Sequence, residues 1–223
     1  MLAAAVIFDL DGVLIGSEEC WSEARRAVVT ERGGHWTAGA TRAMMGMSAP
    51  EWSRYLRDEL GVDLDPDAIN QAVVRRLAAI YQARLPLLPG AIETVRALAA
   101  RWLLGLASSA NRELIALVLE QVGLVEAFSA VVSAEEVARG KPAPDVYLEA
   151  AARLAVAPSE CVAIEDSTNG LHSAAAAGMA VVAVPNVAFP PAPDALALAS
   201  ASVDGVADLT PAVIERAAAG FRQ

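Results

Sequence analysis

Cysteine is scarce in this 223-residue chain, and the two present, Cys20 and Cys161, stand far apart with no C-x-x-C spacing. Two free thiols are expected in a reducing compartment, and neither is a candidate site residue. Aromatic residues make up only 5% of the chain, and no segment reaches the roughly 20 consecutive apolar residues that a membrane helix needs. Positive charge is also short: 17 Lys and Arg against 27 Asp and Glu give a formal net charge of −10. Nucleic acid and anionic membranes are bound by basic patches, so neither is an expected partner, and the positive surroundings of any anionic substrate must be local. The first apolar run, "MLAAAVIF", follows no basic region and leads into acids, not into a small-residue cleavage site. It does not read as a signal peptide, and cytoplasmic residence is expected. What the chain does have is 55% hydrophobic content, much of it alanine, and enough length to bury roughly 70–75% of its unfolded surface. A soluble globular protein is predicted.

Short apolar runs bounded by turn residues recur at "AAAVIF" (3–8), "WLLGLA" (102–107), "AVV" (130–132), "CVAI" (161–164) and "AVVAV" (180–184). Continuous apolar character without alternation suggests strands covered on both faces. Each run after the first follows a helical pattern, so an α/β fold with a doubly wound parallel sheet is predicted. The interval between the first and second runs reads as helix throughout, in "SEECWSEARRAVVTERG", "APEWSRYLRDELG" and "PDAINQAVVRRLAAIYQARL". Gly33 and Gly61 suit helix C-termini and Pro66 a first turn. "RLPLLPG" then breaks the pattern. The expected organisation is a catalytic core of residues 1–15 and 86–223 and a smaller all-helical domain of residues 16–85. A helix ending at Gly178, a weak strand near 201–203 and a terminal helix from about Thr210 complete the pattern.

Ligands of open parallel sheets bind beyond the carboxyl ends of the strands, so the polar residues just after each run matter most. These are Asp9 and Asp11 after the first, Ser108 and Ser109 after the second, and Glu165, Asp166 and Ser167 after the fourth. Carboxylates gathered at one edge without arginine partners suit a hard divalent cation, Mg²⁺ being the usual choice beside a phosphate. Asp9 and Asp11 would equally serve to open a turn before Gly12. A lone lysine, Lys141, lies between Gly140 and Pro142, and a helix is predicted to begin near Ala143. That would set an ammonium beside helix-start N–H groups, a place suited to an anion.

In order, "DLDGV", "LASS", "GKPAPDVYL" and "AIEDSTNGLHSAAAAGM" resemble the motifs of the haloacid dehalogenase (HAD) superfamily, in the branch with a helical cap between the first two motifs. The resemblance implies a HAD-like core and a Mg²⁺-dependent phosphohydrolase of a small phosphorylated metabolite, such as a sugar phosphate. It implies Asp9 as the nucleophile that forms an aspartyl-phosphate. Asp11 would protonate the leaving oxygen and then deprotonate the attacking water. Ser108, with backbone N–H groups near Ser109, would bind phosphoryl oxygens, and Lys141 would offset charge on Asp9 and on the phosphoryl group. Asp9, Asp166 and the backbone carbonyl of Asp11 would ligate Mg²⁺, with Glu165 acting directly or through water. Dehalogenases proper use no metal and lack the second carboxylate, so Asp11 and the "ED" at 165–166 argue against them.

Within this branch the motifs resemble most the β-phosphoglucomutase-like group, which includes many small-metabolite phosphatases. Gly16 replaces an aspartate common to that group. The mutase has a histidine ten residues past its second aspartate and an arginine three past a cap glycine; here those positions hold Trp21 and, counted from Gly46, Ala49. Hydrolysis is therefore favoured over a phosphosugar mutase, and a slow-turnover phosphate-sensing protein is the remaining alternative. Ser17 at the hinge and Trp21, Met47 and Ser48 in the cap are candidates for meeting substrate, although tryptophan and methionine at helical spacing commonly pack a core. Trp36, Trp52 and Trp102 are read as packing, His35 and His172 as solvated, and Asn169 as a helix cap. A monomer or weak homodimer is expected.

Overall fold

The computed structural model describes residues 3–44 and 47–221. The chain divides into two compact units, Met1–Gly16 with Leu87–Gln223, and Ser17–Pro86. The first is built on a six-stranded sheet of order β3-β2-β1-β4-β5-β6, parallel throughout. Its strands are β1 (Ala5–Phe8), β2 (Leu103–Ser108), β3 (Ala130–Ser133), β4 (Cys161–Glu165), β5 (Ala180–Ala183) and β6 (Ala201–Ser202). Every residue of β1, β4 and β5 is buried, which is why these segments are apolar without alternation: helices cover both faces. The helices are α5 (Ala91–Ala99), α6 (Arg112–Val122), α7 (Asp145–Leu154), α8 (Thr168–Ala176), the single turn α9 (Pro193–Leu196) and α10 (Pro211–Gly220).

Chain order reverses direction across the sheet between β1 and β4, and this is where a crevice opens beyond the strand ends. Phe8 pairs with Leu106 on one side and with Ile164 on the other. Asp9 therefore leaves β1 level with the ends of β2 and β4, and its N–H still donates to the Ile164 carbonyl at 3.0 Å. On one face of the sheet Ile7, Ala107, Val132 and Ala163 pack with Tyr147, Ala150 and Ala151 of α7 and Leu171 and Ala174 of α8. Small alanines at these positions bring the helices close to the strands. On the edge strand β3, Arg153 covers a carbonyl that a neighbouring strand could otherwise take, donating to Val131 O at 2.8 Å.

Among its described residues, the regular elements of the second unit are all helices: α1 (Glu18–Glu31), the short α2 (Ala40–Met44), α3 (Ala49–Asp58) and α4 (Pro66–Ala83). Here α1 and α3 both pack on α4, whose Ile69, Val73, Val74, Leu77 and Tyr81 form one buried stripe. Asp65 caps α4 by accepting from Asp67 N at 2.9 Å, with Pro66 at its first position. Trp21 and Trp52 meet edge to face at 6.1 Å, and the buried Arg25 guanidinium lies 4.7 Å and 4.9 Å from their ring centres. No helix among the described residues is long and apolar enough to cross a membrane. Both cysteines are buried and neither is in a disulfide, and burial pushes the Cys161 thiol up to about 12, aided by Glu160.

The helix predicted to begin near Ala143 starts at Asp145, because Ala143 N closes a turn onto Gly140 O (3.0 Å) and Pro144 takes the cap position. Lys141 is thus in a loop, separated from the start of α7. Asn169 does not cap α8: Ser167, extended after β4, accepts from Gly170 N at 3.1 Å, and Asn169 falls inside the first turn.

Candidate active site

The loop after β1 sets the site's shape. Leu14 N and Ile15 N fold back onto Leu10 O, and Gly12 N donates to Ile15 O at 2.7 Å, so residues 10–15 form one tight turn. Gly12 is required twice over. Its φ of +83° is a region that side chains rarely adopt, and a Cβ there would lie 1.9 Å from Asp166 Oδ2. The turn-forming and the site-forming readings of this Asp-Gly are therefore the same fact: the turn exists in the shape that leaves room for Asp166.

Lys141, the only lysine in the chain, reaches from the loop before α7 to the end of β1. Its Nζ donates to Asp9 Oδ1 at 2.7 Å and to Glu165 Oε1 at 2.5 Å, and all three side chains are almost wholly enclosed. Glu165 is held by four donors. Oε1 also accepts from the Tyr147 hydroxyl (2.6 Å), while Oε2 accepts from Asp166 N (3.2 Å) and Ser167 Oγ (3.3 Å). A Cβ on Gly170 would stand 1.9 Å from Oε2, so the glycine at this helix position is a matter of space for the carboxylate.

The electrostatics are unbalanced. Burial pushes Asp9 up to about 8, with Glu165 and Asp11 adding to the rise and Lys141 opposing it. Burial alone would lower Lys141, but Asp9 and Glu165 outweigh it and hold the ammonium protonated. One cation among several acids leaves the pocket short of positive charge. Asp9, Glu165 and Asp166 each place a carboxylate oxygen within 4.8 Å of the others, a donor set suited to a hard divalent ion. Asp11 lies near enough to raise Asp9 but is half-buried and outside that group of three.

Of the other sequence candidates, Ser108 closes β2 fully buried, its Oγ accepting from Ala110 N at 3.0 Å, which leaves the hydroxyl hydrogen to donate. Ser109 follows it, half-buried. Ser17, Trp21, Met47 and Ser48 belong to the helical unit. Ser17 is buried, Trp21 packs with Trp52, and Met47 donates its N–H to Met44 O at 3.2 Å. Ser48 caps α3, its N–H and Oγ donating to Glu51 Oε2 at 2.7 Å and 2.6 Å. Gly46, from which Ala49 is counted, lies outside the described residues. His172 is partly exposed on α8, 3.5 Å from Asp194. Sequence reasoning missed Tyr147, for which a signal existed: a tyrosine on the buried face of a helix of Val, Ala and Leu must find a partner for its hydroxyl.

Residues 3–178 match the model of the haloacid dehalogenase-like hydrolases, and the chain belongs to that family. It is 35% identical over 187 residues to hexitol phosphatase B of Escherichia coli, covering 81% of this chain and 83% of that protein. It is 31% identical over 183 residues to the fructose-1-phosphate phosphatase YqaB of Escherichia coli, covering 81% and 96%. CbbY from Rhodobacter sphaeroides, solved with phosphate, superposes with a TM-score of 0.83 at 27% identity over 94% of this chain and 96% of that one. β-Phosphoglucomutase from Clostridium difficile shares the fold, with a TM-score of 0.84 at 22% identity over 100% and 99%.

Proposed function

We propose that this family phosphatase hydrolyses a small phosphorylated metabolite, a sugar or sugar-alcohol phosphate, through a covalent intermediate on Asp9. The observation that carries the reading is Asp9 at the strand end, held by the chain's only lysine and crowded by acids. The relatives named for hexitol and fructose-1-phosphate hydrolysis support the substrate class.

Residues Asp9 and Asp166, with Glu165 and the backbone of Asp11, would hold Mg²⁺, which when bound supplies the positive charge that Lys141 alone does not. With Oδ1 tied to Lys141, the Asp9 carboxylate is kept in one orientation. Its oxygen bonds to phosphorus as the bond from phosphorus to the alkoxide oxygen breaks, and Asp11 gives its proton to that oxygen. Water then attacks phosphorus and yields a proton to Asp11. Inorganic phosphate departs, and the carboxylate of Asp9 is restored. Ser108 donates to a phosphoryl oxygen, with backbone N–H groups near Ser109, and Lys141 faces the charge that gathers during transfer. In this reading the helical unit is the cap that selects substrate, with Ser17, Trp21, Met47 and Ser48 as its candidate contacts.

Phosphate release would be measured across hexitol, hexose and pentose phosphates and a chromogenic phosphomonoester, with and without a chelator. Mg²⁺-dependent release abolished by Asp9→Asn is expected. Release that survives both chelation and that substitution overturns the reading, and isomer formation that needs a bisphosphate primer would show a mutase.

A further inference from the structure

The mechanism above leaves one buried polar group of the site without a task. Tyr147 lies on the sheet-facing side of α7, fully enclosed among Val146, Ala150, Ala151 and Leu154. Packing there asks only for a ring. The hydroxyl has a different use: it donates to Glu165 Oε1 at 2.6 Å, on the same oxygen that accepts Lys141 Nζ at 2.5 Å. The ring of the same tyrosine lies 5.1 Å from that ammonium, so Tyr147 touches both ends of the Lys141–Glu165 pair.

We propose that Tyr147 is a positioning residue of the hydrolytic site: its hydroxyl shares the Glu165 oxygen with Lys141 and so keeps the ammonium on Asp9. The inference rests on Asp9 being the nucleophile. Lys141 has two acceptors, Asp9 Oδ1 and Glu165 Oε1, and its position between them depends on how much negative charge each presents. The tyrosine donor lowers the pull of Glu165. Its loss leaves a fully buried carboxylate oxygen with the ammonium as its one side-chain donor, and the ammonium shifts toward it and away from Asp9. Glu165 does not swing aside to compensate, because Oε2 is held by Asp166 N and Ser167 Oγ and walled by Gly170. Tyr147 is thereby linked to catalysis through a charge balance. It makes no contact with the reacting atoms in this scheme, so its loss acts on kcat and leaves KM in place.

The test uses the full chain with Tyr147→Phe, which keeps the ring and removes only the hydroxyl. With a chromogenic phosphomonoester, kcat is expected to fall roughly 10-fold or more, as for other residues that orient a site through a neighbour, with KM unchanged within about twofold. Protein labelled with 15N at lysine Nζ reports the ammonium directly, since Lys141 is the only lysine and gives one side-chain signal; that signal is expected to shift in the variant. In a Glu165→Gln background the same substitution is expected to change kcat by less than about twofold, because its route is already cut. Site-specific 3-fluorotyrosine at position 147, which keeps both ring and hydroxyl, is measured in parallel and should move the signal even if the phenylalanine variant does not fold. A wild-type kcat in Tyr147→Phe, an effect confined to KM, effects of Tyr147 and Glu165 that multiply independently, or an unmoved lysine signal in either replacement each overturns the proposal. Failure of the hydrolase reading looks different: the unsubstituted protein would release no phosphate, while the lysine signal would still report whether Tyr147 holds Lys141.

Discussion

The two units of this chain treat charge in opposite ways. In the helical unit, ion pairs such as Arg57–Asp58, Arg76–Glu31 and Arg84–Glu23 sit exposed on helix surfaces. Such pairs contribute little to stability, because water and salt screen them. Among the described residues of that unit the buried charge is Arg25, stacked against two tryptophans. In the sheet-based unit, Asp9, Lys141, Glu165 and Asp166 are all buried at adjoining strand ends. Desolvating a charged group costs several kcal/mol per ion, so a cluster of four is a poor way to stabilise a fold. The contrast teaches where function lies: charge placed against the interest of stability marks chemistry, and charge on a helix surface marks solubility.

Substitutions that sharpen the contrast differ widely in size. Asp9→Asn is expected to cut phosphate release by about three orders of magnitude or more, measured as kcat on the best substrate of the panel. Lys141→Arg keeps the charge but changes its shape in a space fitted to an ammonium between two carboxylates. A loss on the order of 100-fold in kcat is expected, and retention of activity would show that charge alone suffices. Gly12→Ala forces a side chain into the left-handed region and against Asp166. It should cost about 2–4 kcal/mol by chemical denaturation and weaken Mg²⁺ binding in calorimetry.

Stability against pH offers a further break point. Asp9 in the folded, metal-free protein is raised from 3.8 to about 8, so folding favours its protonated form. That contribution is fully present below the lower value and is lost as pH rises toward the higher one. With chelator present, Tm should fall from pH 4 to pH 8 through this group. Asp9→Asn should remove that part of the slope and melt on the order of 5 °C above the unsubstituted protein at pH 8. An identical slope in both proteins would refute the account of the site as short of positive charge. The smallest effects belong to the helical unit. Trp52→Phe should cost roughly 1–2 kcal/mol with the substrate ranking unchanged, whereas Trp21→Phe, at the other ring of the same pair, should shift the ranking by roughly threefold. Equal outcomes for the two tryptophans would remove Trp21 from the substrate side.

Legibility in the sequence also divides between the units. The runs at 3–8, 102–107, 130–132, 161–164 and 180–184 each became a strand, displaced by no more than two residues at either end, because burial on both faces writes an unbroken apolar run. Helix starts were less legible: prolines 142 and 144 both suit a first turn, and only the Ala143–Gly140 hydrogen bond decides that α7 begins after the second. Asp9, Glu165 and Asp166 were readable as strand-end residues and Lys141 as a lone lysine ahead of a helix, yet Glu165's tie to Tyr147 was not, since residues 18 apart in the chain meet only through the packing of α7 on the sheet. In the helical unit, Trp21 and Ser48 were candidates for meeting substrate with packing as the competing reading, and the structure shows the partner each has within that unit, Trp52 for Trp21 and Glu51 for Ser48.

By itself the sequence determined that acids would leave buried strands at their carboxyl ends, because a carboxylate that closes an apolar run marks the place where the run leaves the core. Tertiary structure alone decided how those acids share one ammonium. That outcome depends on the strand order that sets β1 beside β4, on the room left by Gly12 and Gly170, and on a tyrosine from α7. Contacts of 2.5–2.7 Å between groups remote in the chain govern the charge balance, and no local pattern of residues encodes them.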